Sequence, residues 1–358
     1  VAKSILKQGL IYYNTDKDDA AITKFKKVVA EFPNSPESLE AVATAKSIYM
    51  ANGKVGEYAA WVKTLSFVEV TDAELDNDMY ESAEKQYLNN SPKKAIEGFT
   101  SYLAQFPNGL HALKVHFYLA QLYFADKLEK NAIPHYDYVI AQARNEFTEQ
   151  ALVRLSEIHL KDKNCELAIS VLKQVETIAE FPQNTTFAQA NLMKCYYEKQ
   201  DFVNSEIYAD KVLKNPKMDD KIKSDAQIII ARSAIKTNND AKAKEAYAKL
   251  QKIAKGELAA EALYYDAYFK NKEAKFEASN KAVEKYSSTY SGYKYFGAKS
   301  LVVMAKNYYG LKDSFQATEI LQSIIDNFTE FPDVVTECQT ELDKIKAEEA
   351  KTNSSVTK

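Results

Sequence analysis

The chain has 358 residues, 46% of them hydrophobic, which is enough for two domains or one repeat array. Its 9 Gly and 8 Pro are too few for a turn-rich all-β protein. The 47 Lys and Arg against 50 Asp and Glu leave a net charge of -3, which excludes the basic footprint expected of a nucleic-acid binder, and no apolar run is long enough to span a bilayer.

The chain enters at Val1 directly into a helical pattern of Ile5, Leu6, Gly9 and Tyr12. It reads as a fragment from which a leader, and further repeats, have been removed. Along the chain a small residue then recurs near the start of every second helix: Ala21, Ala59, Ala95, Ala132, Ala168, Ser205, Ala243, Ser279 and Ala317, at spacings of 36 to 38. Twelve residues before each stand Gly9, Ser47, Ala83, Ala120, Ser156, Met193, Ala231, Ala267 and Ala305, of which eight in nine are small. Paired helices approach closely only where side chains are short, so this double row marks a helix–turn–helix repeat.

Four residues beyond the second-helix small position lies a bulky one: Phe25, Phe99, Tyr136, Leu172, Tyr247, Val283 and Leu321. The i, i+4 step puts both on one helical face. Lys63 and Ala209 break the row, so the second and sixth units are less regular. Polar turns separate the paired helices, as at Asn14-Thr15-Asp16, Asn52-Gly53, Asn89-Asn90-Ser91 and Thr237–Asp240. Second helices are expected to end at Phe32-Pro33, Phe106-Pro107, Phe181-Pro182 and Phe331-Pro332, because proline forces the preceding residue out of helical geometry. Pro134 falls inside a second helix, where a kink is expected.

The small–aromatic–small–aromatic–Pro order of Gly9, Tyr12, Ala21, Phe25 and Pro33, and of Ala83, Ala95, Phe99 and Pro107, resembles the tetratricopeptide repeat. The period of about 37 exceeds the usual 34. With Glu31–Pro36 (EFPNSP) and Gln105–Gly109 (QFPNG), it is similar to repeats of bacterial cell-envelope proteins, the Tol–Pal accessory proteins and outer-membrane-assembly lipoproteins. The Lys-, Asn- and Tyr-rich composition resembles repeat proteins of Bacteroidota.

The expected fold is an all-α, right-handed superhelix of about nine hairpins over residues 1–332. A capping helix over 333–346 follows, burying Val334, Val335, Cys338, Leu342 and Ile345, and residues 347–358 form a disordered tail. The unit of Ala267 and Ser279 has Asp266 and Lys270 where apolar groups are usual, which leaves its register open.

No phosphate loop, dinucleotide turn or hydrolase motif is present, so no enzyme and no cofactor is expected. His111, His116, His135 and His159 lack ligand spacing, and no metal site is expected of them. Cys165, Cys195 and Cys338 are read as separate buried thiols that leave the redox compartment open. The acidic run Glu69, Asp72, Glu74, Asp76, Asp78, Glu81 and Glu84 departs from a calcium loop at Asn77 and Ala83, and reads as acids at a helix N-terminus.

The resemblance places first helices along a concave groove, so binding residues recur at fixed first-helix positions. Four residues after the first small position the row reads Tyr13, Ala51, Tyr87, Phe124, Leu160, Tyr197, Ile235, Asn271 and Tyr309, of which Tyr13, Tyr87, Phe124, Tyr197 and Tyr309 are the binding candidates. Their rings suit peptide recognition, and equally suit half-burial against the next unit. One residue after the small position, Glu84, Glu157, Lys194, Arg232 and Lys306 run from acidic to basic, a gradient that would orient an extended partner. A second patch gathers Tyr286, Tyr290, Tyr293, Tyr295 and Phe296, either to stack on sugar rings or to pack under a connection. The partner expected from the resemblance is a protein or peptide, bound in the periplasm or at the outer membrane. The alternatives are a cytoplasmic adaptor clamping a carboxylate with Asn191, Lys194 and Arg232, or a glycan-binding module.

Overall fold

The computed structural model describes residues 1–356, with side chains through Lys351. Every element among the described residues is α-helical or a turn, and the chain divides into two compact units, Val1–Lys161 and Asp162–Lys358.

The first unit contains α1 (Ala2–Asn14), α2 (Asp18–Glu31), α3 (Pro36–Ala51), α4 (Val55–Val62), α5 (Asp72–Leu88), α6 (Pro92–Gln105), α7 (Ala112–Ala125), α8 (Glu129–Ala141) and α9 (Thr148–Lys161). The second contains α10 (Cys165–Ile178), α11 (Pro182–Glu198), α12 (Phe202–Lys214), α13 (Asp220–Lys236), α14 (Asp240–Leu250), α15 (Gly256–Lys272), α16 (Phe276–Thr289), α17 (Lys294–Gly310), α18 (Ser314–Asn327) and α19 (Pro332–Val356). Within each unit a hairpin packs onto the next. First helices also touch first helices, α1 on α3 and α3 on α5 in one unit, α11 on α13, α15 on α17 and α17 on α19 in the other.

One backbone device closes each hairpin. A residue in the left-handed region follows each first helix: Asp16, Gly53, Asn90 and Lys127 in the first unit, and Gln200, Asn238, Ala274 and Lys312 in the second. The next N–H then reaches back to a carbonyl of the last helical turn, as Lys17 to Tyr12 at 2.9 Å, Ser91 to Gln86 at 2.9 Å and Lys275 to Lys270 at 2.9 Å. This pairing satisfies carbonyls that a helix end leaves open. It also fixes the phase at which the second helix starts.

That phase explains the double row of small residues. Ala21, Ala95, Ala132, Ala168, Ser205, Ala243, Ser279 and Ala317 are all fully buried, and so are Phe25, Phe99, Tyr136, Leu172 and their equivalents. Gly9 lies so close to α2 that a Cβ on it would stand 2.5 Å from the Phe25 ring. Where the second-helix residue is serine, its hydroxyl crosses to the small-position carbonyl of the first helix: Ser205 Oγ to Met193 at 3.0 Å, and Ser279 Oγ to Ala267 at 2.7 Å. The second of these settles the open register of the α15/α16 hairpin, and Asp266 and Lys270 pair with each other at 2.7 Å on its half-exposed side.

Four expectations are corrected. In the second hairpin Ser47 is exposed and Ala45 is buried in its place; the fourth residue after the turn residue Lys54 is Tyr58, whose ring packs 6.2 Å from Tyr49. By the same one-residue shift the bulky position is Val62, 1% exposed, and Lys63 is the C-cap of α4 rather than a member of the row. The Phe-Pro pairs have two roles: Phe32 and Phe106 terminate α2 and α6, whereas Pro182 and Pro332 begin α11 and α19. Finally, Cys165 and Cys195 are not separate thiols but form a disulfide, Cα to Cα 5.2 Å, linking the start of α10 to α11; Cys338 stays free and buried.

The capping helix buries Val334, Cys338, Leu342 and Ile345. It runs on to Val356, where a disordered tail from 347 was expected, and residues 357–358 lie outside the described residues.

Candidate functional site

The first-helix rows separate into three environments. Tyr13 is exposed at 38%. Tyr87 stacks on Tyr118 at 4.7 Å, Phe124 lies 4.8 Å under the Arg154 guanidinium, and Tyr197 packs against Phe202 at 5.9 Å. Tyr309 donates its hydroxyl to Glu348 on α19. These rings are half-buried platforms rather than free surface, apart from Tyr13.

Four of the five charged residues in the row are held by counter-charges, three of them on the following first helix. Lys194 on α11 meets Asp225 on α13 at 2.8 Å; Arg232 on α13 grips both oxygens of Glu261 on α15 at 3.0 and 2.5 Å. Lys306 on α17 reaches Glu337 at 2.7 Å and Glu341 at 3.5 Å on α19. Glu157 pairs with Arg154 at 2.7 Å, and Glu84 accepts the Tyr80 hydroxyl. Burial works against the Lys306 charge, but the two glutamates outweigh it and raise its pKa. The gradient read from sequence is therefore compensated locally. Of the three clamp candidates, Lys194 and Arg232 are paired in this way and the Asn191 amide donates to the Phe187 carbonyl at 2.9 Å.

The aromatic patch is mostly packing. Tyr286 is buried and donates to the Tyr293 carbonyl at 2.8 Å, Tyr295 donates to Asp333 at 2.8 Å, and Phe296 packs 5.5 Å from Tyr264. Tyr290 is half-buried; only Tyr293 among the five is exposed. The acidic run is helical from Asp72. Glu74 completes a capping box with Thr71, Asp76 accepts from Tyr102 at 2.5 Å and from the Leu110 N–H at 2.8 Å, and Asp78 pairs with Lys46 at 2.6 Å.

Sequence spacing missed one pair. His116 on α7 and His135 on α8 face each other, Nδ1 to Nδ1 at 2.8 Å, with Tyr138 stacked on His116 at 3.8 Å. They lie nineteen residues apart across the hairpin turn, so no linear motif joins them. No cluster of three or more metal-ligating side chains occurs among the described residues.

The structure brings Lys306, Tyr309 and Asn271 together at one cavity of about 290 Å3 in the second unit. Its floor is apolar, from Phe276, Leu321 and Ile345; its rim adds Glu341 and Lys344 to those three polar groups. Phe276 packs directly over Gly310, where a Cβ would stand 2.5 Å from its ring. Space of this size accommodates one amino-acid side chain.

Fold and site together define an all-α protein of packed helical hairpins with a partly polar first-helix face. The tetratricopeptide repeat family matches residues 3–35, so the α1/α2 hairpin is a repeat of that kind. Among solved structures the chain is similar to the P58(IPK) TPR domain, at 14% identity over 97% of this chain and 99% of that one, with a TM-score of 0.32. It is similar also to yeast Tom70 (13% identity, 98% and 96% covered, TM-score 0.37) and to a tetratricopeptide repeat protein from Parabacteroides merdae (10%, 94% and 98%, 0.29). Likenesses this distant carry no argument about function. No curated protein matches the sequence. No helix among the described residues is long and apolar enough to cross a membrane.

Proposed function

We propose that the chain is a non-catalytic protein-interaction scaffold that holds a peptide segment or partner domain on its first-helix face. The observation carrying this reading is the cavity lined by α15 to α19, where groups at two recurrent first-helix positions, Lys306 and Tyr309, meet over an apolar floor. Helices already locked by ion pairs and stacked rings lose little freedom on binding, so the ordering cost falls on the partner.

The compartment we propose is the bacterial cell envelope. Its support is the Cys165–Cys195 bridge, since disulfides persist in oxidising compartments and are rare in the cytosol of mesophiles. The cytoplasmic adaptor is disfavoured by the same bridge and by the paired state of Lys194 and Arg232.

The test is cross-linking capture in cells with Tyr87, Phe124 and Tyr197 replaced together by alanine. Loss of the captured partner is expected from a protein that stays folded by circular dichroism, though with a lowered melting temperature because the three rings are partly packed. Capture that survives the triple replacement would remove the first-helix face as the docking surface.

A further inference from the structure

A buried polar relay ends at the rim of the cavity. The Ser279 hydroxyl donates to the Ala267 carbonyl at 2.7 Å, so its oxygen is left to accept. Asn307, fully buried, directs its side-chain Nδ2 to Ser279 Oγ at 2.8 Å and to Asn280 Oδ1 at 2.8 Å. Both amide hydrogens are then used, and its Oδ1 can only accept. It accepts from Asn271 Nδ2 at 2.7 Å.

The relay therefore decides which way the Asn271 amide faces. Its nitrogen points inward and its Oδ1 points away from the relay, with no hydrogen-bond donor among the described residues. On this half-buried residue the carbonyl oxygen faces solvent as an acceptor of fixed direction. On the other side of the same rim, Lys306 is held by Glu337 and Glu341 and the Tyr309 hydroxyl by Glu348, whereas Lys344 has no ion-pair or hydrogen-bond partner among the described residues. The rim thus offers one free acceptor and one free donor above a floor of Phe276, Leu321 and Ile345.

We infer that this cavity is a main-chain-reading pocket for one residue of an extended, uncharged peptide segment. The residue's aliphatic side chain fills the floor, its N–H donates to Asn271 Oδ1, and its own carbonyl accepts from Lys344 Nζ. A carboxylate ligand suits the rim less well, because Glu341 and Glu348 stand beside the two lysines. The inference rests on the scaffold reading and names the chemistry its partner presents.

The probe is the blocked tripeptide acetyl-Ser-Leu-Ser-amide, followed by saturation-transfer NMR on the full chain. Its counterparts carry alanine, or N-methyl-leucine, in the middle position. Transfer to the leucine methyls is expected, with the alanine and N-methyl peptides each binding about tenfold more weakly, one hydrogen bond or one buried side chain in the affinity scale. Asn271→Ala should erase the difference between methylated and unmethylated peptides. Lys344→Ala, an exposed position, should weaken both about equally with the fold unchanged.

Absence of transfer, or a preference for the N–H peptide that persists in Asn271→Ala, would overturn the pocket. Partner capture that is lost in the Tyr87, Phe124 and Tyr197 variant but untouched by Asn271→Ala and Lys344→Ala would likewise overturn it and leave the scaffold standing. Transfer that follows the expected pattern, with capture indifferent to those three rings, supports the pocket and moves the docking surface elsewhere.

Discussion

Arg232 on α13 closes a bidentate fork on Glu261 of α15, and the same carboxylate accepts the Tyr247 hydroxyl at 2.8 Å from α14. Glu261 is 2% exposed, so its charge has no access to bulk water and depends on these partners. Arg232→Met should destabilise the second unit by about 3 kcal/mol, the usual penalty for stranding one half of a buried pair. Arg232→Met with Glu261→Leu should recover most of that loss. Urea unfolding of the two variants measures it, and an equal loss in both would show that packing, not charge, is at stake.

The hairpin turns give a prediction of opposite sign. Lys127 and Ala274 occupy left-handed geometry at φ 60° and 55°, where a Cβ is strained by about 1 kcal/mol or more. Glycine relieves the strain while gaining freedom in the unfolded chain, which offsets part of the gain. Lys127→Gly or Ala274→Gly should therefore stabilise by about 0.5 kcal/mol, readable as a raised urea midpoint at unchanged slope. A lowered midpoint would mean that the side chain is held by contacts that outweigh the strain.

Acid should loosen the α7/α8 hairpin. Burial, and then His135, depress the pKa of His116 from 6.5 to about 4, and burial lowers that of His135. A histidine with a depressed folded pKa binds fewer protons than the unfolded chain between those values. Stability is therefore complete above pH about 6.5 and declines as the pH falls from there toward 4. In the double variant His116→Gln, His135→Gln the decline over that window should be shallower. Identical melting-temperature profiles for the two proteins would exclude the pair as the titrating element.

The disulfide closes a loop of 30 residues between α10 and α11. Loop-closure entropy of that length corresponds to about 3.6 kcal/mol. Cys165→Ser with Cys195→Ser should lower stability by that order, and reductant should move the wild type toward the variant but leave the variant unmoved. Peptide mapping of the native protein under non-reducing conditions should find the two cysteines linked. Recovery of both as free thiols would withdraw the support for an oxidising compartment.

Much of the fold is legible in residue spacing. Ala21 with Phe25, Ala95 with Phe99 and Ala243 with Tyr247 are local i, i+4 pairs, so helical geometry alone puts them on one face. The left-handed turn residues are harder to read. Asn90 and Asp16 suit the geometry, but Lys127, Gln200, Ala274 and Lys312 carry no turn signal, since the helix ends on either side of them dictate the backbone. The second hairpin misleads for a related reason: Tyr58 takes a position held elsewhere by a small residue, and its ring packs against that of Tyr49.

The candidate site is less legible. Lys194, Arg232 and Lys306 stand in the first-helix row, yet their acids Asp225, Glu261 and Glu337 sit 31, 29 and 31 residues later, at no constant interval. Asn271 is the one polar amide in a row of rings and aliphatic residues, and only the structure shows Asn307 and Ser279 behind it.

What the sequence determined by itself is the hairpin, its length and its seam of small and bulky residues, because all three follow from periodicities within single helices. Which cations are neutralised, which cysteines are bridged, how His116 meets His135 and which way the Asn271 amide faces were decided only by tertiary structure. Each of those depends on the rotation of one helix against another, and a change of one residue in helical phase turns a side chain by about 100°.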